Sequence, residues 1–366
     1  MQRLAVIGLG SVFQGPYRSR IEQLRQQGKA EIQVVCDRDE SKRLWAAERF
    51  PAARMSDDAL ETCVADDVDT VVILTSMVAH GELAAAALRA GKNVLVEKPM
   101  ATRLDEAAEL VELADRGPGL LICAPHVLLS PTYREMHARV NAGFVGPILS
   151  ARARYGWAGP WWGEWFYRPG GGAMFDLGVY NLTSLCGFMG SVQRVVALSG
   201  VAIPQREVNG EMMSVEADDN SHILLDFGDS RFAHIFTGFT IQRYRSPAIE
   251  LYGATGVLQM LGDDWAPEGF EQWLNERGVW EVVPEVEPNW PWTEGIGHLV
   301  DCVERGIQPA TSPRQAYHAL EVMLAAQESA RSGRAVDIAS SFPQPDYTNL
   351  PRPISDARAR HDARST

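Results

Sequence analysis

The chain has 366 residues, 46% hydrophobic and 22% charged, with a net charge of −13. That length is too great for one ordinary core and calls for two domains, and that composition excludes general disorder. The acidic balance disfavours nucleic acid and anionic membranes as partners, because both repel it, and no apolar run reaches the ~18–20 residues of a membrane helix.

The five cysteines, at 36, 63, 123, 186 and 302, form no CxxC pair and are odd in number, the usage of reduced thiols. The N-terminus shows no long apolar segment with a cleavage-like site. Together these lead us to expect a cytoplasmic protein.

Residues 4–7 form a short apolar run closed by Gly8, which reads as a buried strand, and a helix is expected over 16–27. Strand 32–36 ends at Asp37, and a helix follows around 40–49. Strand 71–74, helix 80–90 stopped by Gly91, strand 93–96, helix 103–116 and strand 120–124 complete the first part. Strands alternating with helices predict a parallel, doubly wound α/β domain over 1–125. Beyond it, helix 131–142 leads to β-rich segments at 148–156, 193–203, 221–227, 232–241 and 247–252, interrupted by a helix at 173–189. Helices at 294–305 and 313–331 close the pattern. We expect an α+β domain over 126–335 with an open, mostly antiparallel sheet, and a tail over 336–366 that is flexible or docked on a partner.

Gly8-Leu9-Gly10-Ser11-Val12-Phe13 follows the first strand and opens a helix. Gly8 permits a tight turn, and Gly10 lets a pyrophosphate approach backbone N–H groups at the helix start. Phe13 stands where a third glycine is usual, with Gly15 nearby. That departure implies looser helix–strand packing or a turn carried by Gly15. Asp37 ends the second strand, where a carboxylate binds the ribose hydroxyls of NAD and repels the 2′-phosphate of NADP. Arg38 beside it acts in the opposite sense. The competing reading of Asp37 is a cap for the next helix. NAD is therefore the expected cofactor, ahead of NADP.

The stretch DVDTVVILTSMVAHGELAAAALRAGKNVLVEKP, residues 67–99, and the stretch GGGAMFDLGVYNL, residues 170–182, carry a more specific pattern. Both resemble the glucose–fructose oxidoreductase / inositol dehydrogenase / MocA family, and the resemblance extends to about residue 335. It implies a Rossmann domain, an open-faced sheet domain used for oligomer contacts, and nicotinamide-dependent chemistry on sugars, polyols and similar alcohols. By position, Lys98 matches the family's catalytic lysine and Asp176 the aspartate of the second motif. Tyr180 stands where many members have histidine; members resembling glucose–fructose oxidoreductase and dihydrodiol dehydrogenase carry tyrosine there. Pro99 matches a proline often preceded by a cis bond. Thr75, Ser76, His80 and Glu97 join the expected cofactor contacts. The segment 125–131 lacks the basic residue frequent in the family and offers only His126, which speaks against a carboxylate or phosphate gripped there.

Lys98 is expected to hydrogen-bond the reacting oxygen and, as a neighbouring ammonium, to favour the phenolate of Tyr180. Either of the two is the proton carrier, and Asp176 orients Lys98 or a substrate hydroxyl. For Asp176 a helix cap, for Tyr180 a core position and for His126 a structural histidine are the competing readings. Trp157, Trp161, Trp162, Trp165, Phe166 and Tyr167 precede the glycines at 170–172. Trp157, Trp162 and Trp165, with Arg168, suit the faces of a pyranose or aryl ring; domain or subunit packing competes. No HExxH or His/Cys cluster appears, so no metal is expected.

The expectation is thus an NAD(P)-dependent dehydrogenase for a secondary alcohol of a sugar, glycoside or cyclitol, acting as a homodimer or homotetramer. Two alternatives stand: a redox-neutral sugar enzyme with retained NAD, or a non-catalytic NAD-dependent sensor or partner protein.

Overall fold

The computed structural model describes residues 1–245, 247–285 and 287–351. They form two compact units. The first comprises Met1–His126, Pro291–Leu324 and Ser340–Gln344; the second comprises the described residues of Val127–Trp290 and Ala325–Ala339, with 345–351.

In the first unit, strands β1 (Gln2–Ile7), β2 (Ala30–Cys36), β3 (Arg54–Ser56), β4 (Thr70–Ile73), β5 (Asn93–Val96) and β6 (Leu121–Cys123) make one sheet in the order β3-β2-β1-β4-β5-β6. Every pairing is parallel. All four residues of β4 and the last four of β1 are buried, the unbroken apolar pattern of strands covered on both faces. The chain builds outward from β1 through β2 to β3 and then returns to β4 on β1's other side. That reversal makes the carboxyl ends of β1 and β4 the topological switch point, the usual ligand position in such sheets.

The helix Gly295–Arg305 belongs to this first unit, although in sequence it follows the long stretch Val127–Trp290 of the second. Ile296, Leu299 and Val300 join the core of Val6, Phe13, Tyr17 and Leu95, with Val303 packed beside them. Arg20 grips Glu294 through two nitrogens at 2.7 and 3.0 Å, and Lys29 meets Asp301 at 2.6 Å. The span 126–335 expected for the second domain is accordingly interrupted by 291–324.

The second unit holds β7 (Ile148–Gly156), β8 (Arg194–Gly200), β9 (Gln205–Val208), β10 (Glu211–Ser214), β11 (Asn220–Asp226), β12 (Phe232–Gly238), β13 (Ile249–Gly253), β14 (Gly256–Asp263), β15 (Ala266–Leu274), β16 (Trp280–Pro284) and β17 (Val336–Asp337). Nine of them form a sheet in the order β16-β15-β14-β13-β7-β12-β11-β8-β17, and β9 with β10 forms a separate hairpin. Only β7 and β12 pair in parallel. Residues along β8 and β11 alternate buried and exposed, so one sheet face is covered and the other open. Val196, Leu198, Leu224 and Phe232 stand on the open face.

Strands β14 to β16 went unpredicted because Gly256, Gly262, Pro267 and Gly269 break the local pattern. Gly262 lies at φ +74° beside a register shift, so the pair accommodates the break as a bulge. Within the expected tail, Val336–Asp337 pairs with β8, and Tyr347 Oη donates to the carbonyl of Leu128 in its own unit at 2.8 Å. Residues 352–366 lie outside the described residues.

Candidate active site

Gly8 has φ +96°, and a Cβ there would lie 2.6 Å from the Leu74 carbonyl oxygen. Only glycine lets the turn press against the end of β4 in this way. At Gly10 no protein atom lies within 4 Å of a would-be Cβ, so the turn is open where an approaching group needs room. The helix starts at once, with exposed Ser11 and Val12. Phe13 is fully buried between Trp45 and Phe50, at ring distances of 6.2 and 5.9 Å. The missing third glycine is therefore filled by tight aromatic packing rather than by looser packing. Gly15 does not carry the turn; it lies within the π-helical stretch Phe13–Tyr17.

Asp37 is tied into the turn. Its Oδ2 accepts the Leu9 amide at 2.8 Å, and its Oδ1 accepts the Asp39 amide at 3.0 Å. The capping reading goes to Asp39, whose side chain accepts the Ser41 amide at the start of Glu40–Arg49. Lys42 Nζ lies 3.7 Å from Asp37 Oδ2, and Arg38 is exposed beside it. An open glycine turn, amides at a helix start and a fixed carboxylate at the end of β2 together fit a dinucleotide.

Thr75 and Ser76 follow β4 at the same sheet edge, and His80 opens the next helix. His80 is buried; its Nδ1 lies 2.7 Å from the Pro99 carbonyl and its Nε2 3.1 Å from that of Thr75. It therefore staples two loops together, and burial lowers its pKa. Glu97 is buried at the end of β5. Tyr17, fully buried, donates its hydroxyl to Glu97 Oε1 at 2.7 Å, and the Lys98 amide donates to Glu97 Oε2 at 3.1 Å. The Lys98–Pro99 bond is cis. Lys98 itself is half-buried.

His126 does not lie on the surface of the first unit. It is 3% exposed, with Nε2 3.3 Å from Tyr17 Oη and its ring against Gly295. Burial, with His298 beside it, pushes its pKa down to about 3. The structure thus favours the structural reading of His126 over a substrate contact.

In the second unit, Asp176 sits in the π-helical turn Met174–Gly178 and Tyr180 in the helix Val179–Met189. Asp176 is a first-turn acid rather than an N-cap, favourable at a helix start. Four residues apart, the two share a helix face, and both are half-buried. Tyr180 meets the edge of Tyr155 at 5.6 Å. Burial, with Asp176, Asp264 and Asp263 nearby, raises the Tyr155 pKa. Asp264 accepts the Asn181 amide at 2.8 Å and is buried at the turn between β14 and β15. Burial pushes its pKa up to about 7, and Asp263 adds to the rise. Sequence reading missed this carboxyl because the strands that bury it were not recognised. It likewise missed Tyr17, whose only signal was an aromatic four residues after Phe13.

The tryptophan segment is partly open. Trp161, Trp162 and Trp165 are exposed, and Trp157 is half-buried. Trp165 stacks on Phe166 at 3.6 Å. Arg168 is exposed and pairs with Glu216 at 2.6 Å and Glu164 at 3.7 Å. Among the described residues, no group of three or more His, Cys, Asp or Glu is placed to hold a metal ion. All five cysteines are free thiols, and none of the described helices is long and apolar enough to cross a membrane.

Residues 2–123 match the family described as oxidoreductase family, NAD-binding Rossmann fold, and residues 133–259 match the GFO/IDH/MocA C-terminal domain. The chain belongs to the GFO/IDH/MocA family of oxidoreductases. A family member from Actinomadura kijaniata, dTDP-3,4-didehydro-2,6-dideoxy-alpha-D-glucose 3-reductase, is 32% identical over 52% of this chain, a match spanning only 56% of that relative's length. D-apiose dehydrogenase of Paraburkholderia graminis is 23% identical over 92% of this chain and 89% of its own. Among solved structures, levoglucosan dehydrogenase in complex with NADH shares the fold with a TM-score of 0.82. It is 20% identical, over 93% of this chain and 99% of that one.

Proposed function

We propose that this oxidoreductase transfers a hydride between NAD and a secondary alcohol of a sugar, glycoside or cyclitol. The observation that carries the reading is the convergence, at the carboxyl edge of one parallel sheet, of the Asp37-locked glycine turn and Lys98. Gly8, Gly10, Ser11 and Val12 would hold the pyrophosphate, Asp37 the ribose hydroxyls, and Thr75 and Ser76 would line the nicotinamide side, backed by the buried His80, Glu97 and Pro99. When bound, the nicotinamide supplies the hydride acceptor or donor. The chain's own task is the proton. Lys98 hydrogen-bonds the reacting oxygen, Lys98 or Tyr180 exchanges its proton, and Asp176 orients a neighbouring hydroxyl. The Asp37 carboxylate favours NAD by repelling a 2′-phosphate, and Lys42 at 3.7 Å tempers that preference.

We further infer a cytoplasmic homo-oligomer, a dimer or tetramer. Val196, Leu198, Leu224 and Phe232 on the open sheet face support it, since such a patch calls for a cover. The deciding experiment screens polyols, free sugars and glycosides with NAD and NADP, read by reduced-cofactor absorbance. Stoichiometric growth with NAD and a sugar alcohol is expected. A complete panel with no turnover, in oxidation or in reduction of the matching ketones, overturns the reading.

A further inference from the structure

The aromatic segment after β7 extends outward from the helix that bears Tyr180. Tyr180 meets Tyr155 at 5.6 Å, and Tyr155 and Trp157 pack on the same core of Phe166, Tyr167 and Phe239. Trp157 stacks with Trp162 at 5.5 Å and 29°, and Trp162 meets Trp161 edge-on at 5.4 Å. Trp162 is 44% exposed and Trp161 67%. This run of rings is longer than one pyranose covers.

The platform is held rigidly. Arg206 donates to the Ala158 carbonyl at 2.5 Å, Tyr167 Oη to that of Pro160 at 2.7 Å, and the Asn209 amide to that of Trp161 at 2.8 Å. Arg206 is itself fixed by Asp219, a fully buried carboxylate 2.9 Å away, and by the Phe239 carbonyl. Gly159 between the anchors has φ +94°, and a Cβ there would lie 2.6 Å from Tyr167 Oη. Desolvating an ion pair costs folding energy, and here the pair immobilises a strip of exposed indoles. Rigid aromatic faces bind at little further entropic cost. Beside the rings, Arg168 pairs with Glu216 and Glu164, so the segment is polar there without being strongly cationic. An uncharged, hydroxylated ring matches that surface; a phosphorylated or strongly charged one does not.

Resting on the function proposed above, we propose that the substrate is a glycoside of at least two rings. The reacting sugar lies at Asp176 and Tyr180, and the second ring stacks on the exposed face of Trp162, with Trp157 stacked behind that indole and Trp161 standing edge-on beside it. The electron-rich indole face then meets the polarised C–H face or edge of that ring.

The test uses the full-length protein with NAD. The substrates are D-glucose, D-galactose and D-xylose with their methyl and phenyl β-glycosides. For whichever sugar reacts, kcat/KM for the phenyl glycoside is expected to exceed that for the methyl glycoside by about tenfold or more, mainly through KM. In Trp162→Ala that ratio falls towards one. Wild-type tryptophan fluorescence titrated with the phenyl glycoside provides a reading independent of the variant's folding, and a saturable quench is expected. Equal methyl and phenyl kinetics overturn this proposal alone, as does a ratio that survives Trp162→Ala. Trp161→Ala that changes the oligomer mass by light scattering, without moving the ratio, makes the platform a subunit contact and also overturns it. Absence of turnover on every sugar, with either nicotinamide, removes the proposed function and this inference with it.

Discussion

The surroundings of Glu97 and the tryptophan segment break the ordinary burial rule in opposite directions. Around Glu97, polar groups are buried and paired: Tyr17 on the carboxylate and His80 between two carbonyls. Around Trp161, apolar rings are exposed and their backbone is pinned by a buried ion pair. Neither arrangement follows from stability alone, since buried polar groups and exposed indoles both carry a cost. One region is built to hold fixed polar chemistry and the other to offer a fixed apolar surface to a ligand. Variants in the first should damage catalysis or folding, and those in the second should change which substrate is used.

The largest effect is expected at Lys98. Lys98→Ala should cut turnover by about 10²–10⁴-fold while a calorimetric titration still detects NAD binding. Turnover near the wild-type rate would remove Lys98 from the chemistry and break the contrast at its catalytic end.

Gly8→Ala comes next. The new Cβ would meet the Leu74 carbonyl oxygen at 2.6 Å in a left-handed conformation. A loss of about 3 kcal/mol or more is expected in urea denaturation, with weakened NAD binding. An unchanged NAD affinity would show that the turn does not hold the cofactor.

Asp264 extends the contrast into the second unit, because among the described residues its buried carboxyl has no cation within salt-bridge distance. Its pKa rises from the ordinary 3.8 to about 7 on folding. Between those values the folded state binds more protons than the unfolded one, so stability falls as pH rises from about 4 to about 7 and is level above. Asp264→Asn keeps an acceptor for Asn181 and removes the titration. Its unfolding free energy relative to the wild type's should rise by about 4 kcal/mol through that window, complete by pH 8 in urea denaturation. A gap independent of pH would mean that Asp264 stays ionised in the fold.

The smallest effect is expected at Tyr17. Tyr17→Phe deprives Glu97 of a buried donor and should cost about 1–3 kcal/mol by chemical denaturation. A cost under about 0.5 kcal/mol would show that the Glu97 cluster is not tightly coupled.

Much of the fold was legible because its signals are local. The apolar runs of β1, β4 and β5 announce strands buried on both faces, and Gly91 marks a helix end at φ +74°. The glycine turn and Asp37 were legible as a site because the spacing of a βα unit brings them together without help from distant residues. The unpredicted features depend on contacts far apart in the chain. Tyr17 and Glu97 are 80 residues apart, and Asn181 and Asp264 are 83 apart. Phe13 looked like a defect in the glycine pattern until Trp45 and Phe50 were placed around it.

The parallel α/β unit, its glycine turn and carboxylate, and the motifs bearing Lys98, Asp176 and Tyr180 were readable from local signals. Periodicity and turn chemistry act over a few residues and survive in any context. Long-range closure of the chain set the rest: Gly295–Arg305 completes the first core, His126 is buried, and Arg206 and Asp219 pin the tryptophan segment. Those outcomes depend on desolvation and on pairing between distant groups, and neither has a value until the chain has closed around them.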